Sequence, residues 1–195
     1  MPSGDAPPLA EPPRPGRVGA AELYLTHAPF VRRFLARLGV TSADLDDLTQ
    51  EVFVIAHRQG GYEPGPARPT TWLAEIALRL AFAHRRVARR RAEGELPEDA
   101  ASPAPDPLDV LAAHESLARV ERALATLDLV HRAVFVLFEI EGESCESIAT
   151  ALGVPVGTVH SRLHYARRTF RKAYDRLSVT RRPAFGTGEG RGATP

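Results

Sequence analysis

A chain of 195 residues with 44% hydrophobic side chains has room for one medium domain or two small ones, which excludes a wholly disordered protein. A single cysteine, Cys145, excludes an intrachain disulfide and a cysteine-rich zinc site and fits a reducing compartment. No apolar run approaches the roughly 20 residues of a membrane span, and the formal net charge of +1 hides charges that are sorted into blocks along the chain.

Residues 1–18 carry six prolines and few apolar side chains, so a disordered tail is expected there. This stretch lacks the basic-flanked apolar segment of a secretory leader, and the expectation is a cytoplasmic protein without direct membrane insertion. A helix is predicted from Ala20, with Leu23, Phe30, Phe34 and Leu38 on one stripe and Gly39 ending it. Thr41 or Ser42 is placed to cap a second helix, on which Leu45, Leu48, Val52 and Ile55 recur at steps of three, four and three. Its other face carries Asp46, Asp47, Gln50 and Glu51, an acidic surface that most often is simply solvated.

A run of glycines and prolines between Gly60 and Pro69 breaks regular structure. Thr70 or Thr71 is the expected cap of a third helix reaching about Arg91, with Trp72, Ile76 and Leu80 turned inward. Between residues 79 and 91 this helix holds six arginines and no acid; residues 92–115 then hold seven acids and neither lysine nor arginine. Basic side chains so clustered point to a surface facing a polyanion. Residues 92–107, with four prolines and several acids, read as a flexible linker spanning on the order of 20–25 Å.

Beyond the linker, Leu111, Leu117, Val120, Leu124 and Leu127 predict one helix, and Val130, Val134, Leu137 and Phe138 another. Ser144 caps a short helix over Cys145–Leu152 that Gly153-Val154 stops, and Pro155 sits where a following helix tolerates it. That last helix buries Val159, Leu163, Ala166 and Phe170 and exposes Thr158, His160, Ser161, Arg162, His164, Tyr165 and Arg168. Two helices joined by a short turn, the second one basic, form a helix-turn-helix, whose second helix fits the major groove and can read base edges. The competing reading is a helical hairpin whose basic face is only solvated; Ala149, Gly153 and Val159 around the turn, together with the dense basic tail, favour DNA. No strand-like alternation bounded by hairpin turns appears, so the fold class is all-α: two small helical domains, 19–91 and 108–180, joined by the linker, with a disordered tail over 181–195.

Three segments carry a resemblance. Asp46-Asp47-Leu48-Thr49-Gln50-Glu51-Val52-Phe53, then Thr71-Trp72-Leu73 with Ile76-Ala77 and the arginine run, and finally Gly157-Thr158-Val159-His160-Ser161-Arg162-Leu163, are similar in order and spacing to extracytoplasmic-function sigma factors over roughly residues 20–91 and 108–178. The resemblance implies a non-enzymatic subunit that brings core RNA polymerase to promoters and helps open them. By position, Asp46, Asp47, Gln50 and Glu51 meet the polymerase clamp, the arginines Arg79, Arg85, Arg86, Arg89 and Arg90 meet DNA near the −10 element, and the helix-turn-helix meets the −35 element. It also implies an anti-sigma factor as partner. His160 stands where lysine or arginine is common before Ser161, Arg79 where asparagine is frequent, and Ala83 where aspartate is.

Other constellations are weaker. His160 and His164 are four apart, a zinc-compatible spacing, but Ser161 stands where a metalloprotease has glutamate and no third ligand is evident, so no metal or cofactor is expected. Trp72 could serve as a base-stacking platform, but its place beside Ile76 favours the core. Rival functions are a dimeric helix-turn-helix regulator, which would need a dimerisation or ligand module, and a helical hydrolase using Asp47, Glu51 and His57, which lacks a nucleophile or substrate loop.

Overall fold

The computed structural model describes residues 16–92 and 108–179; 93–107 of the predicted linker, 1–15 of the predicted N-terminal tail and all of 181–195 lie outside them, whereas the end of the first tail, expected to be disordered, is held by Arg17 and Val18 bonding Gln59 and Tyr62. Seven helices follow one another: α1 (Ala20–Arg37), α2 (Leu45–Arg58), α3 (Pro69–Ala92), α4 (Leu108–Ala125), α5 (Leu129–Phe135), α6 (Cys145–Leu152) and α7 (Val156–Val179), with α5 running on into a π-helical turn, Val136–Ile140. Among the described residues the one β-type pairing is an isolated bridge between Val18 and Tyr62. The all-helical expectation is met.

α1 buries Leu23, Phe30, Val31, Phe34 and Leu35, two adjacent pairs that widen the predicted stripe into the broad face a globular helix needs. Pro29 falls on its exposed side. α2 begins at Leu45, with Asp44 as the flanking residue, not at Thr41 or Ser42; the Thr41 hydroxyl instead donates to the Asp44 carboxylate, closing the turn ahead of the helix. α3 begins at Pro69, whose fixed φ suits a first turn and whose missing amide hydrogen is not needed there. Thr70 and Thr71 therefore lie within the helix and are free for tertiary bonds. The largest fully buried side chains of α3 are Leu73 and Ile76, while Trp72 and Leu80 pack at the edge of the core. Trp72 rests against Tyr62 with ring centroids 5.8 Å apart, as a packing residue.

In the second half, Leu124, Leu127, Val134 and Leu137 are buried as the periodicity predicts, whereas Val120, Val130 and Phe138 are half-buried, the unpredicted Leu129 is buried, and Leu117 is 57% exposed. The π-helical turn has the Glu141 amide bonding the Val136 carbonyl, and it rotates the chain so that both Val136 and Leu137 face inward. The tertiary arrangement adds something the periodicities do not contain: α3 packs on α5 and α6, and one cluster of buried residues runs from Leu23 through Leu73 to Ile148 and Leu163.

Candidate nucleic-acid interface

α6 starts as predicted. The Ser144 hydroxyl accepts from the Ser147 amide at 3.1 Å, satisfying one of the unpaired donors of a first turn. It ends at Gly153, whose φ of 62° and ψ of 36° lie in the left-handed region, with the Val154 amide bonding back to Ala149. The Pro155 carbonyl then accepts from the Thr158 amide at 2.9 Å and launches α7. Ile148, Val159, Leu163 and Ala166 are buried where α6 and α7 meet, and Phe170 continues the stripe against Phe135 with centroids 4.7 Å apart. The turn thus holds α7 rigidly with its polar face outward. His160, Ser161, His164, Tyr165 and Arg168 are exposed, and Thr158 and Arg162 half-buried at the edge of that face.

Two local contacts restrain this face. Ser161 donates to the Thr158 carbonyl at 3.0 Å, and the Tyr165 ring lies 4.5 Å from that of His131 on α5. A groove of about 320 Å³ beside Tyr165 and Arg168 is lined also by Thr126, Lys172 and Arg176, a basic continuation of the face that sequence reasoning did not single out. Cys145 is buried in α6, and burial followed by the neighbouring Glu146 charge raises its thiol pKa, as suits a packing residue more than a redox centre.

The second basic surface lies on α3. Arg79, Arg85, Arg86, Arg89 and Arg90 all line one groove of about 900 Å³, together with Phe82, Ala83, Asp128 and Leu129. Steps of three and four along the helix from Arg79 through Phe82, Arg86 and Arg89 bring them to one side. Arg79 is paired with Glu75 one turn earlier; burial raises the Glu75 pKa, and the adjoining guanidinium opposes that rise. Phe82 is 43% exposed among these arginines and was not anticipated. Its signal is legible afterwards: an aromatic residue interleaved in an arginine run is a nucleic-acid pattern.

Asp46, Asp47, Gln50 and Glu51 are all exposed on α2, well away from that groove in sequence and on a separate helix. Asp46 is engaged by Arg32 of α1 at 2.8 Å. The structure therefore gathers the α3 arginines into one groove, sets the exposed polar residues of α7 on another surface, and places the acidic face on a third. His160 and His164 are both exposed, and among the described residues no group of three ligating side chains converges.

Comparisons with known proteins identify the family. Residues 23–91 match the family model of Sigma-70 region 2, and residues 117–170 match that of Sigma-70 region 4. The ECF RNA polymerase sigma factor SigL of Mycobacterium tuberculosis is 37% identical over 161 residues, spanning 82% of this chain and 90% of the relative. RNA polymerase sigma factor CarQ of Myxococcus xanthus is 35% identical over 163 residues, spanning 81% and 90%. Among solved structures, the sigma factor RpoE of Bartonella quintana, determined with the anti-sigma factor NepR, superposes with a TM-score of 0.62 at 26% identity over 83% of this chain and 98% of its own. CnrH, determined with the cytosolic domain of CnrY, superposes with a TM-score of 0.58 at 26% identity over 80% and 88%. With both regions present in order and relatives matched along most of their length, this chain belongs to the extracytoplasmic-function branch of the sigma-70 family of RNA polymerase sigma factors.

Proposed function

We propose that this sigma factor divides its work among the three surfaces described. The acidic face of α2, with Asp46, Asp47, Gln50 and Glu51, meets basic helices of core polymerase, where opposite charge steers docking and fixes register. The α3 groove takes promoter DNA near the −10 element: Arg85, Arg86, Arg89 and Arg90, with Arg79 at the rim, neutralise phosphate, and Phe82 offers a stacking face to an unpaired base. α7 enters the major groove of the −35 element, with Thr158, His160, Ser161, Arg162, His164 and Tyr165 toward bases and Arg168 toward phosphate. Residues 19–91 and 108–180 form the two working domains, and the chain acts in the cytoplasm at the nucleoid without catalysing a reaction of its own. An anti-sigma factor is its regulator, by likeness to the relatives solved with NepR and with CnrY.

The observation that carries this reading is one chain holding a cluster of groove-lining arginines within its Sigma-70 region 2 match and an outward polar face on α7 within its region 4 match. The test is run-off transcription with purified core polymerase and a genomic promoter library, beside the double variant Asp47→Lys, Glu51→Lys. Both positions are exposed, so the variant keeps its helical circular dichroism; it loses co-purification with core enzyme and yields no transcript. Undiminished co-purification of the variant rejects the assignment of the acidic face.

A further inference from the structure

α5 and α7 meet along a seam of aromatic rings, and the outermost pair does something the inner ones do not. α7 is already fixed by buried Val159, Leu163 and Ala166, and deeper in the seam Phe170 rests on Phe135. His131 lies one turn before Phe135, at the solvent end, and its ring meets that of Tyr165 with centroids 4.5 Å apart and planes at 46°. Tyr165 remains 47% exposed, so this pair buries little surface and adds little to the stability of the fold. Its effect is conformational: one side of the phenol is covered, and the ring is kept from swinging between rotamers.

A further residue fixes His131. Asp128 flanks α5, and its two carboxylate oxygens take both donors of His131: Oδ1 accepts from the backbone amide at 3.0 Å and Oδ2 from ring Nδ1 at 2.7 Å. An ionised carboxylate only accepts, so Nδ1 carries the hydrogen and the ring has one orientation. Burial opposes ionisation of Asp128, but donation from His131 and from the Val130 amide outweighs it and holds the carboxyl below its usual range. Asp128, His131 and Tyr165 thus run from a helix cap outward to the polar face of α7, each oriented by the one before.

The place of Tyr165 on α7 decides what a fixed phenol can do. It lies nine residues beyond Val156, about 13–14 Å along the axis at about 1.5 Å per residue. Ser161 stands one turn before it and Arg168 about one turn after, so it closes the base-facing stretch of the helix where the phosphate-facing stretch begins. Among the described residues its hydroxyl makes no hydrogen bond. A hydroxyl both donates and accepts, so on a swinging ring it suits any base edge, whereas held at one point it favours the edge that matches in distance and angle.

We infer that Asp128 and His131 are positioning residues for promoter reading: they lock Tyr165 so that its hydroxyl selects the base at one position of the −35 element, the position farthest along α7. This inference rests on the assignment of α7 to that element. At the −35 element neither Asp128 nor His131 touches DNA; both act through Tyr165.

The test uses holoenzyme assembled from the full chain and core polymerase, on a promoter found by the run-off screen and varied one base at a time through its −35 element. The readout at each position is the ratio of half-saturating promoter concentrations for the other bases and the preferred one, a ratio that loss of folded protein does not move. Tyr165→Phe lowers the ratio about two- to tenfold at one position and leaves the rest, since it removes one neutral hydrogen bond. His131→Ala lowers it at that same position by about two- to fivefold, the effect of releasing one ordered side chain, and beside Tyr165→Phe it has no further effect. Should His131→Ala fail to fold, Asp128→Ser keeps an oxygen for the His131 amide but is too short for the ring, and it flattens the same position. Asp128 also borders the α3 groove, so this variant too is read with and without Tyr165→Phe. The inference is overturned by a Tyr165→Phe holoenzyme with every ratio unchanged. It is equally overturned by a folded His131→Ala or Asp128→Ser that leaves this position unchanged, flattens all positions alike, or keeps its full effect beside Tyr165→Phe. A wild-type holoenzyme that initiates with no base preference anywhere in the −35 element rejects instead the assignment of α7 on which the inference depends.

Discussion

Gly153 allows the cost of a single backbone angle to be isolated within the DNA-reading motif. Its φ of 62° is unfavourable for any residue with a Cβ, yet a Cβ built there meets nothing within 4 Å. Gly153→Ala therefore adds strain without a clash, about 1–2 kcal/mol. Residues described on both sides of the linker share one core, and for a unit of about 150 residues each kcal/mol moves Tm by about 2–4 °C, so the expected drop is about 2–8 °C. Two comparisons bracket it. Gly157→Ala also meets open space but lies in the first turn of α7 without positive φ, and it should be neutral or stabilising by up to about 1 kcal/mol. Ile148→Ala removes a fully buried side chain, at a cost of about 2–5 kcal/mol. Gly153→Asn recovers part of the loss, because asparagine tolerates the left-handed region best after glycine. Thermal unfolding of the full chain by circular dichroism reads all four. A Gly153→Ala melt that coincides with wild type, or one that falls as far as Ile148→Ala, refutes the reasoning: the first removes the strain, and the second requires a contact the geometry does not contain.

Replacing Arg89 and Arg90 by alanine should lower the slope of log affinity against log salt for −10 DNA by about 1.8, at about 0.9 per phosphate contact, measured by fluorescence anisotropy; an unchanged slope places these side chains off the DNA. His160→Ala with Arg162→Ala should reduce promoter-specific initiation by about ten- to a hundredfold, the size of a lost base contact, while co-purification with core enzyme stays intact. Equal transcript from the same promoter counts against the recognition face. Asp128 accepts from the His131 amide at the start of α5, so Asp128→Ala should cost about 1 kcal/mol at neutral pH. Its carboxyl titrates lower in the folded than in the unfolded chain, so that contribution is complete above the ordinary carboxylate range and is lost as pH falls through the lowered folded-state value. Urea midpoints of wild type and variant should converge in acid; a gap that stays constant there assigns the cost to something other than the charge.

Periodicity reached the helices buried along one continuous face. The stripe through Val159, Leu163 and Ala166 is continuous because α4, α5 and α6 all meet α7 along that face, and the Ser144 cap and Gly153 stop are purely local chemistry. It failed where burial comes from more than one direction. Thr70 and Thr71 have the residue type of a cap, and only the approach of α6 turns them into junction donors. Leu117 has the period of a core residue, yet among the described residues no element covers it. Phe82 was hidden because sequence pattern cannot say which side of an arginine-rich helix remains open.

The amino-acid sequence by itself determined the all-helical class, the helix-turn-helix, the charge blocks and the family, since each rests on residues near one another in the chain or on motifs in a set order. The tertiary structure alone decided that the two halves touch, that Arg132 links the ends of α1 and α4, and that Asp128 borders the arginine groove. The physical reason is sequence separation: Arg132 and Leu38 are 94 positions apart, and a bond between a side chain and a backbone carbonyl at that distance leaves no periodic trace in either segment.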